Sequence, residues 1–103
     1  MFHVYILKCK DGSFYTGHTD NLETRLAQHQ YAYFSQCYTA KRLPVTLAFQ
    51  AAFETREQAL GVEKQIKGWS RSKKQALIRD DWLEIARLSK QKRNVVRLLI
   101  PKA

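Results

Sequence analysis

The pattern of apolar and polar residues predicts two strands joined by a tight turn at the start of the chain. Residues 3–9 (HVYILKC) are rich in β-branched and aromatic side chains, which favour a strand. Lys10-Asp11-Gly12 is a turn sequence, and residues 13–18 predict the returning strand.

The length of this turn decides which side chains share a face of the hairpin. A two-residue loop would place Tyr5 and Tyr15 on opposite faces. A three-residue loop, with Gly12 in a left-handed bulge, brings both tyrosines to one face. It pairs Tyr5 with Gly17 and Leu7 with Tyr15. We expect the three-residue loop.

Capping patterns predict the helices that follow. Asp20 and Glu23 resemble a capping box for a helix that ends near Gln30. Thr55 and Gln58 form a stronger box, opening a helix that stops near Gly68. Between these helices the sequence predicts a loop over 31–44 and a third strand over 45–53, expected to be central because it is apolar on both faces. Residues 70–78 and 80–92 predict one or two more helices.

The element order is therefore β-β-α-β-α-α, an α/β (α+β) fold with a small three-stranded sheet flanked by helices. The chain has 103 residues, of which 45% are apolar, which suits one compact domain. We expect residues 81–103 to be a C-terminal helix and apolar tail of that same domain, with 95–100 packing on the body or on a protein partner. No apolar run approaches the ~20 residues that cross a bilayer, so a soluble, cytoplasmic protein is expected. Cys9 and Cys37 are expected to be unlinked thiols.

The charge balance narrows the class of partner. Eighteen lysines and arginines against nine acids leave a net charge of +9. Such an excess favours a polyanionic partner, with nucleic acid first and an acidic membrane or protein surface second.

Two polar side chains of the first helix lie beside its apolar stripe. Leu22 and Leu26 define that stripe, and Arg25 and His29 fall on one edge of it. A snorkelling arginine beside an ordinary boundary histidine is the simple interpretation. The alternative is a phosphate site along this side of the helix.

A carboxylate within the apolar face of the second long helix is harder to explain structurally. Glu63 lies between Ala59 and Leu60 on that face, where an unpaired charge is costly. A helix pair with Lys67 contributes only a few tenths of a kcal/mol. A hard divalent cation would favour such a carboxylate.

Cations cluster in the second half of the chain. Residues 64–79 hold six basic residues, no acid and Trp69, a composition that suits backbone phosphates or a solvated helix face. The loop over 31–42 mixes four aromatic residues with two cations, which either pack together or stack on bases.

Taken in order, these features resemble the GIY-YIG nuclease superfamily, and most closely its small stand-alone bacterial members of the YhbQ-like type. His3-Val4-Tyr5 and Tyr15-Thr16-Gly17 stand where that family has its two name motifs. The stretch Asn21-Leu22-x-x-Arg25 matches its arginine helix, and Glu63 its metal-binding glutamate. The run IKGWSRSKK (66–74) is similar to the stand-alone subgroup.

The resemblance implies a metal-dependent phosphodiesterase that cleaves DNA with low sequence specificity. It implies that Arg25 clamps the phosphate, that Glu63 holds Mg²⁺ or Mn²⁺, and that Tyr5 acts as general base. It also implies that Tyr15 positions water or phosphate and that His29 relays a proton. We expect these five side chains to surround one pocket. Contacts to nucleic acid are expected from a further set: Gly17, His18, Lys41, Arg42, Lys64, Lys67, Arg71, Lys73 and Lys74.

The chain also departs from the family pattern. His3 replaces the first glycine, and Gln75 stands where several relatives have asparagine. Two other classes of function therefore remain open. One is a non-catalytic nucleic-acid-binding module in which Arg25 and Glu63 form a buried ion pair, and the other is a protein that binds partners through its 95–100 tail.

Overall fold

The computed structural model describes residues 1–32 and 37–88. The predicted rings at Tyr33 and Phe34, the end of the helix predicted over 80–92, and the 95–100 tail lie outside the described residues. The elements run in the following order: β1 (Phe2–Lys8), β2 (Phe14–Thr19), α1 (Leu22–Gln30), a 3₁₀ helix (Tyr38–Lys41), β3 (Thr46–Phe53), α2 (Arg56–Lys67), α3 (Arg71–Ile78) and α4 (Trp82–Leu88). None of the helices formed by described residues is long and apolar enough to span a membrane.

The first hairpin has the predicted three-residue loop. The Cys9 amide donates to the Ser13 carbonyl at 2.8 Å, and Gly12 has a φ of +85°, which a side chain would disfavour. Tyr5 pairs with Gly17 and Leu7 with Tyr15, so the predicted register is confirmed.

The strand order corrects one prediction. The three-stranded antiparallel sheet has the order β2-β1-β3, so β1 is central and β3 is an edge strand. The central strand carries four consecutive side chains with no exposed surface, from Val4 to Leu7. Leu47 on β3, by contrast, is exposed. The alanines of β3 make its sequence apolar on both faces, but their short side chains bury little apolar surface.

Alternation along β1 divides the core between the two faces of the sheet. Val4 and Ile6 pack with α2, α3 and α4. Tyr5 and Leu7 point the other way and pack with Tyr15 and the leucines of α1.

Helix caps set where the long helices begin. The cap of α1 is Asn21, whose side chain accepts from the Thr24 amide at 3.1 Å, and not the predicted Asp20. At α2 the predicted capping box of Thr55 and Gln58 is confirmed, as is the stop at Gly68. The caps thereby fix which residues of α1 and α2 face the sheet.

Candidate active site

Tyr5 is buried in the middle of the sheet, and its ring extends over Gly17 of the neighbouring strand. A Cβ placed on Gly17 would lie 2.6 Å from the Tyr5 hydroxyl and 2.7 Å from its Cζ. Gly17 was one of the residues expected to contact nucleic acid, because a glycine leaves room for a close approach. In the structure that room holds the tyrosine ring, so Gly17 serves the site by admitting Tyr5.

The Tyr5 hydroxyl is hydrogen-bonded to a buried histidine of α1. Its oxygen lies 3.0 Å from His29 Nε2, and His29 is 1% exposed. The Tyr15 ring lies edge-on to the same imidazole, with centroids 5.1 Å apart. His29 is therefore a core residue with a polar partner, rather than the boundary histidine of the simple interpretation.

Arg25 joins this cluster from the preceding turn of α1. Its side chain is hydrogen-bonded to Tyr5, and its positive charge favours the tyrosinate. Burial is the larger effect and raises the pKa of Tyr5 to about 12. Burial likewise raises the pKa of Tyr15, with smaller contributions from Tyr5 and Cys37. Both phenols are therefore neutral at physiological pH.

Burial and the Arg25 charge lower the pKa of His29. The imidazole is consequently neutral at neutral pH and can accept a proton. A neutral phenol hydrogen-bonded to a neutral imidazole is an arrangement through which a proton can move.

Glu63 belongs to α2 and reaches β2 from the other face of the sheet. The residue is only 6% exposed, and both of its carboxylate oxygens lie close to His18 Nδ1, at 3.1 and 3.0 Å. Lys67 Nζ is 3.8 Å away and half-exposed. The carboxylate is thus hydrogen-bonded to His18, which the sequence suggested only as a nucleic-acid contact.

The structure distributes the five predicted site residues over the two faces of the sheet, in two groups that both lie beside β2. Tyr5, Tyr15, Arg25 and His29 lie together on the face covered by α1. Glu63 lies on the face covered by α2. The groups meet at the edge strand β2, where neighbouring residues Gly17 and His18 face opposite sides, and the Glu63 charge still contributes to raising the pKa of both tyrosines.

The residues around Glu63 fit a hard cation only if water and substrate phosphate supply most of its ligands. Within residues 1–32 and 37–88, no group of three histidine, cysteine, aspartate or glutamate side chains could hold a metal. Mg²⁺ commonly uses one or two protein carboxylates and takes its other ligands from water and substrate phosphate. Glu63 suits that mode, because it is a nearly buried carboxylate beside an imidazole.

Some of the residues predicted to contact nucleic acid are exposed, whereas others interact with side chains of the protein itself. Lys41, Lys64 and Lys67 are exposed. Arg42 is engaged within the protein, since Nε lies 3.1 Å from Asp11 and the guanidinium stacks 3.8 Å from the Tyr38 ring centroid.

The basic helix α3 presents its cations over aromatic rings. Lys73 lies 4.3 Å from the Trp69 ring centroid, and Arg71 lies 4.7 Å from that of Phe14. Lys74 is half-buried, and burial lowers its pKa. A cavity of about 330 Å³ opens beside Arg71, and its lining consists of Lys8, Phe14, Ala48, Arg71, Gln75, Ile78 and Arg79.

The sequence analysis assigned no role in this cluster to Thr39 or Cys37. Thr39 is 1% exposed, and its Oγ1 lies 2.9 Å from His29 Nδ1. The Thr39 hydroxyl donates to Cys37 Sγ at 3.6 Å. Neither spacing nor residue type signals this role, because the 3₁₀ helix lies inside a stretch whose pattern predicts only a loop.

The matching family model is that of the GIY-YIG catalytic domain, which covers residues 1–76. The chain belongs to this family, which is a nuclease family, and its three-stranded sheet with flanking helices agrees with the family fold. Nucleic acid is accordingly the substrate class that the family implies.

The match covers nearly the whole length of individual relatives and about three quarters of this chain. UPF0213 protein SSP2268 of Staphylococcus saprophyticus is 45% identical over 76 residues, which is 74% of this chain and 92% of the relative. UPF0213 protein VNG_2274C of Halobacterium salinarum is 42% identical over 77 residues, or 75% of this chain and 99% of the relative.

Two solution structures are similar as well. The UPF0213 protein BH0048 from Bacillus halodurans is 40% identical with a TM-score of 0.50, and the match covers 76% of this chain and 83% of that one. The protein EF2693 from E. faecalis is 33% identical with a TM-score of 0.52, covering 88% and 91%. These names state no activity.

Proposed function

We propose that this protein is a divalent-metal-dependent endonuclease that hydrolyses phosphodiester bonds in DNA with low sequence specificity. The observation that carries the proposal is the buried hydrogen bond between Tyr5 and His29, with Arg25 beside it. Tyr5 and His29 are buried and Arg25 is half-buried, and a structural role alone gives little reason to place three such side chains together in so small a core.

Hydrolysis of a phosphodiester needs a base for water and positive charge for the phosphate. Arg25 offers the charge, because its guanidinium can hold two phosphate oxygens at once. Tyr5 cannot act as a preformed tyrosinate, since its pKa is about 12. It can take a proton from water only while it gives its own hydroxyl proton to His29 Nε2, which lies 3.0 Å away. His29 then becomes imidazolium, and Tyr5 remains neutral throughout.

Glu63 is the residue that would hold Mg²⁺ or Mn²⁺, which supplies Lewis acidity at the leaving oxygen. Its carboxylate is also the acceptor for His18, so the two residues are coupled. Neutral imidazole and carboxylate both bind divalent cations, and His18 can either share the cation or turn towards the phosphate.

The path of the nucleic acid follows the basic residues of α2 and α3. Exposed lysines lie on α2, and the Arg71 cavity lies at the far end of the β1–β2 ladder from His18. A strand rises by about 3.3 Å per residue, so the four steps from Phe14 to His18 span roughly 13 Å. Contacts of this kind read the backbone and not the bases, which agrees with low specificity. A cytoplasmic role in DNA repair or turnover belongs to the same proposal.

A cleavage assay tests the proposal. Supercoiled plasmid is incubated with the wild type, Glu63→Ala and Tyr5→Phe, with Mg²⁺ or Mn²⁺ and with EDTA. We expect nicking by the wild type in the presence of metal only, and a loss of about 100-fold or more in each variant.

The second candidate function is a nucleic-acid-binding module without catalysis. The observation in its favour is that Glu63 already has polar partners within the protein, His18 at 3.0 Å and Lys67 at 3.8 Å. If all three proteins retain plasmid in a gel shift and none cuts it, the binding module is correct and the endonuclease is not.

A further inference from the structure

The hydrogen-bond network continues beyond His29 into the 3₁₀ helix Tyr38–Lys41. His29 uses both ring nitrogens, with Nε2 at 3.0 Å from the Tyr5 hydroxyl and Nδ1 at 2.9 Å from Thr39 Oγ1. All three residues are at most 1% exposed. Solvent therefore has little access to the atoms that decide where the imidazole proton lies.

The number of protons that each group carries determines which atom donates and which accepts in this series of hydrogen bonds. A threonine hydroxyl has one proton, and that of Thr39 is donated to Cys37 Sγ. Its oxygen can then only accept from His29, so Nδ1 carries the imidazole proton. Nε2 is left with a bare lone pair, which accepts the proton of the Tyr5 hydroxyl.

Cys37 fixes the other end of this chain. Its sulfur accepts the proton of the Thr39 hydroxyl, and the Tyr15 hydroxyl contributes to lowering the pKa of its thiol. Burial raises the pKa of the Cys37 thiol, but Thr39, Tyr15 and the backbone amides together outweigh burial and lower it. A sulfur so placed acts as an acceptor, which keeps the Thr39 proton pointing away from His29.

We propose that Thr39 is a positioning residue, which holds His29 in the Nδ1–H tautomer so that Nε2 is ready to receive the Tyr5 proton. The proposal rests on the nuclease function and deepens it. In the opposite tautomer Nε2–H would point at the Tyr5 oxygen, and the phenol could not release its proton to the ring. Thr39 itself touches neither water nor phosphate in this scheme.

The tautomer can be measured without any cleavage. In ¹⁵N-labelled protein at pH 7.5, the two ring nitrogens of His29 are assigned by long-range ¹⁵N–¹H correlation, using His29→Gln for assignment. We expect a protonated-type shift at Nδ1 and a bare-nitrogen shift at Nε2. An Nε2–H tautomer in the wild type overturns the proposal, whether or not the protein cuts DNA.

Variants then connect the tautomer to the reaction. Thr39→Val keeps the branched shape and removes the hydroxyl, while Thr39→Ser keeps the hydroxyl. Thr46→Val, on the exposed part of β3, makes the same change away from the site. We expect Thr39→Val to lose the Nδ1–H signature and to lower kcat about ten- to hundredfold with KM for DNA unchanged. Thr39→Ser and Thr46→Val should stay near the wild type in both measurements.

Each result has a distinct meaning. If Thr39→Val keeps the wild-type tautomer and kcat, the positioning role is refuted. If the wild type shows the Nδ1–H tautomer but cuts nothing, the proposed function fails while Thr39 still determines the tautomer of His29. If Thr39→Val does not fold, the wild-type spectrum and Thr39→Ser still decide the question, because the serine must preserve the Nδ1–H tautomer.

Discussion

Replacing Gly17 by alanine tests the packing of Tyr5 directly. The new Cβ would lie 2.6 Å from the Tyr5 hydroxyl and 2.7 Å from Cζ, whereas ordinary contact begins near 3.4 Å. The ring must therefore withdraw by about 0.8 Å. It is fully buried under α1, and its hydroxyl is 3.0 Å from His29 Nε2, so the movement strains the core and lengthens that hydrogen bond.

Overpacking of this kind costs about 1–3 kcal/mol of the free energy of unfolding. In a domain of this size, that lowers Tm by roughly 5–20 °C. Cleavage should fall as well, because the same movement breaks the contact between Tyr5 and His29. Thermal unfolding followed by circular dichroism, together with the plasmid assay, measures both effects.

Gly61→Ala is the matched control. Gly61 is exposed within α2, and a Cβ there meets nothing within 4 Å. Alanine is favoured over glycine in a helix interior by about 1 kcal/mol, so this variant should be slightly more stable and equally active.

A double variant sharpens the argument. Tyr5→Phe removes the hydroxyl but leaves Cζ at 2.7 Å, so adding Gly17→Ala to the Tyr5→Phe variant should still destabilise it. In a Tyr5→Leu background the ring is gone, and Gly17→Ala should cost much less. Equal Tm and activity of Gly17→Ala and the wild type would refute the packing described here.

Further predictions concern pH and salt. The pKa of His29 is lowered by burial, so the acid limb of the pH–rate profile should lie below 6.5. The free energy of unfolding should also fall as pH drops below about 6.5, because the histidine of the unfolded chain takes up a proton before that of the folded protein. The pKa of Tyr5 is raised from 10.0 to about 12, so the free energy of unfolding should fall as pH rises from 10 towards 12. A His29→Gln variant should lose the dependence of stability on pH below 6.5 and keep the dependence above 10, which separates the two effects. Arg71→Ala should reduce the slope of log K against log salt for DNA binding by about one, whereas Arg87→Ala, whose guanidinium pairs with Glu84 on α4, should leave it unchanged. An unchanged slope for Arg71→Ala would remove that residue from the nucleic-acid path.

Some features of the fold that depend on a few neighbouring residues were predicted correctly from the sequence. The Gly12 bulge and the Thr55 capping box were predictable because each rests on a few neighbouring residues with a specific geometric need. The position of β3 in the sheet was not predictable in this way, because a count of apolar residues treats an alanine like a valine although the alanine buries less surface. At α1 two adjacent residues could both cap, and only the folded backbone selects Asn21 over Asp20.

Helix periodicity found residues on the right helices but could not say which partners they meet. Arg25, His29 and Glu63 were all singled out because they lie beside or within an apolar stripe. The pairing of Glu63 with His18 joins residues 45 apart, and that of His29 with Thr39 depends on a 3₁₀ turn within a loop. Such contacts follow from tertiary packing, which spacing along the chain does not contain.

Strand β2 gives a physical reason for a site divided between two faces. Gly17 and His18 are adjacent, and strand alternation sends them to opposite sides of the sheet. The glycine admits the Tyr5 ring, and with it the contact to His29, on one side, while the histidine is hydrogen-bonded to Glu63 on the other. On the proposed function, a phosphate at this edge would meet the proton-accepting group from the α1 face and the metal-binding carboxylate from the α2 face. A one-residue slip in the hairpin would exchange these faces, so the three-residue turn at Gly12 is a requirement of the chemistry as well as of the fold.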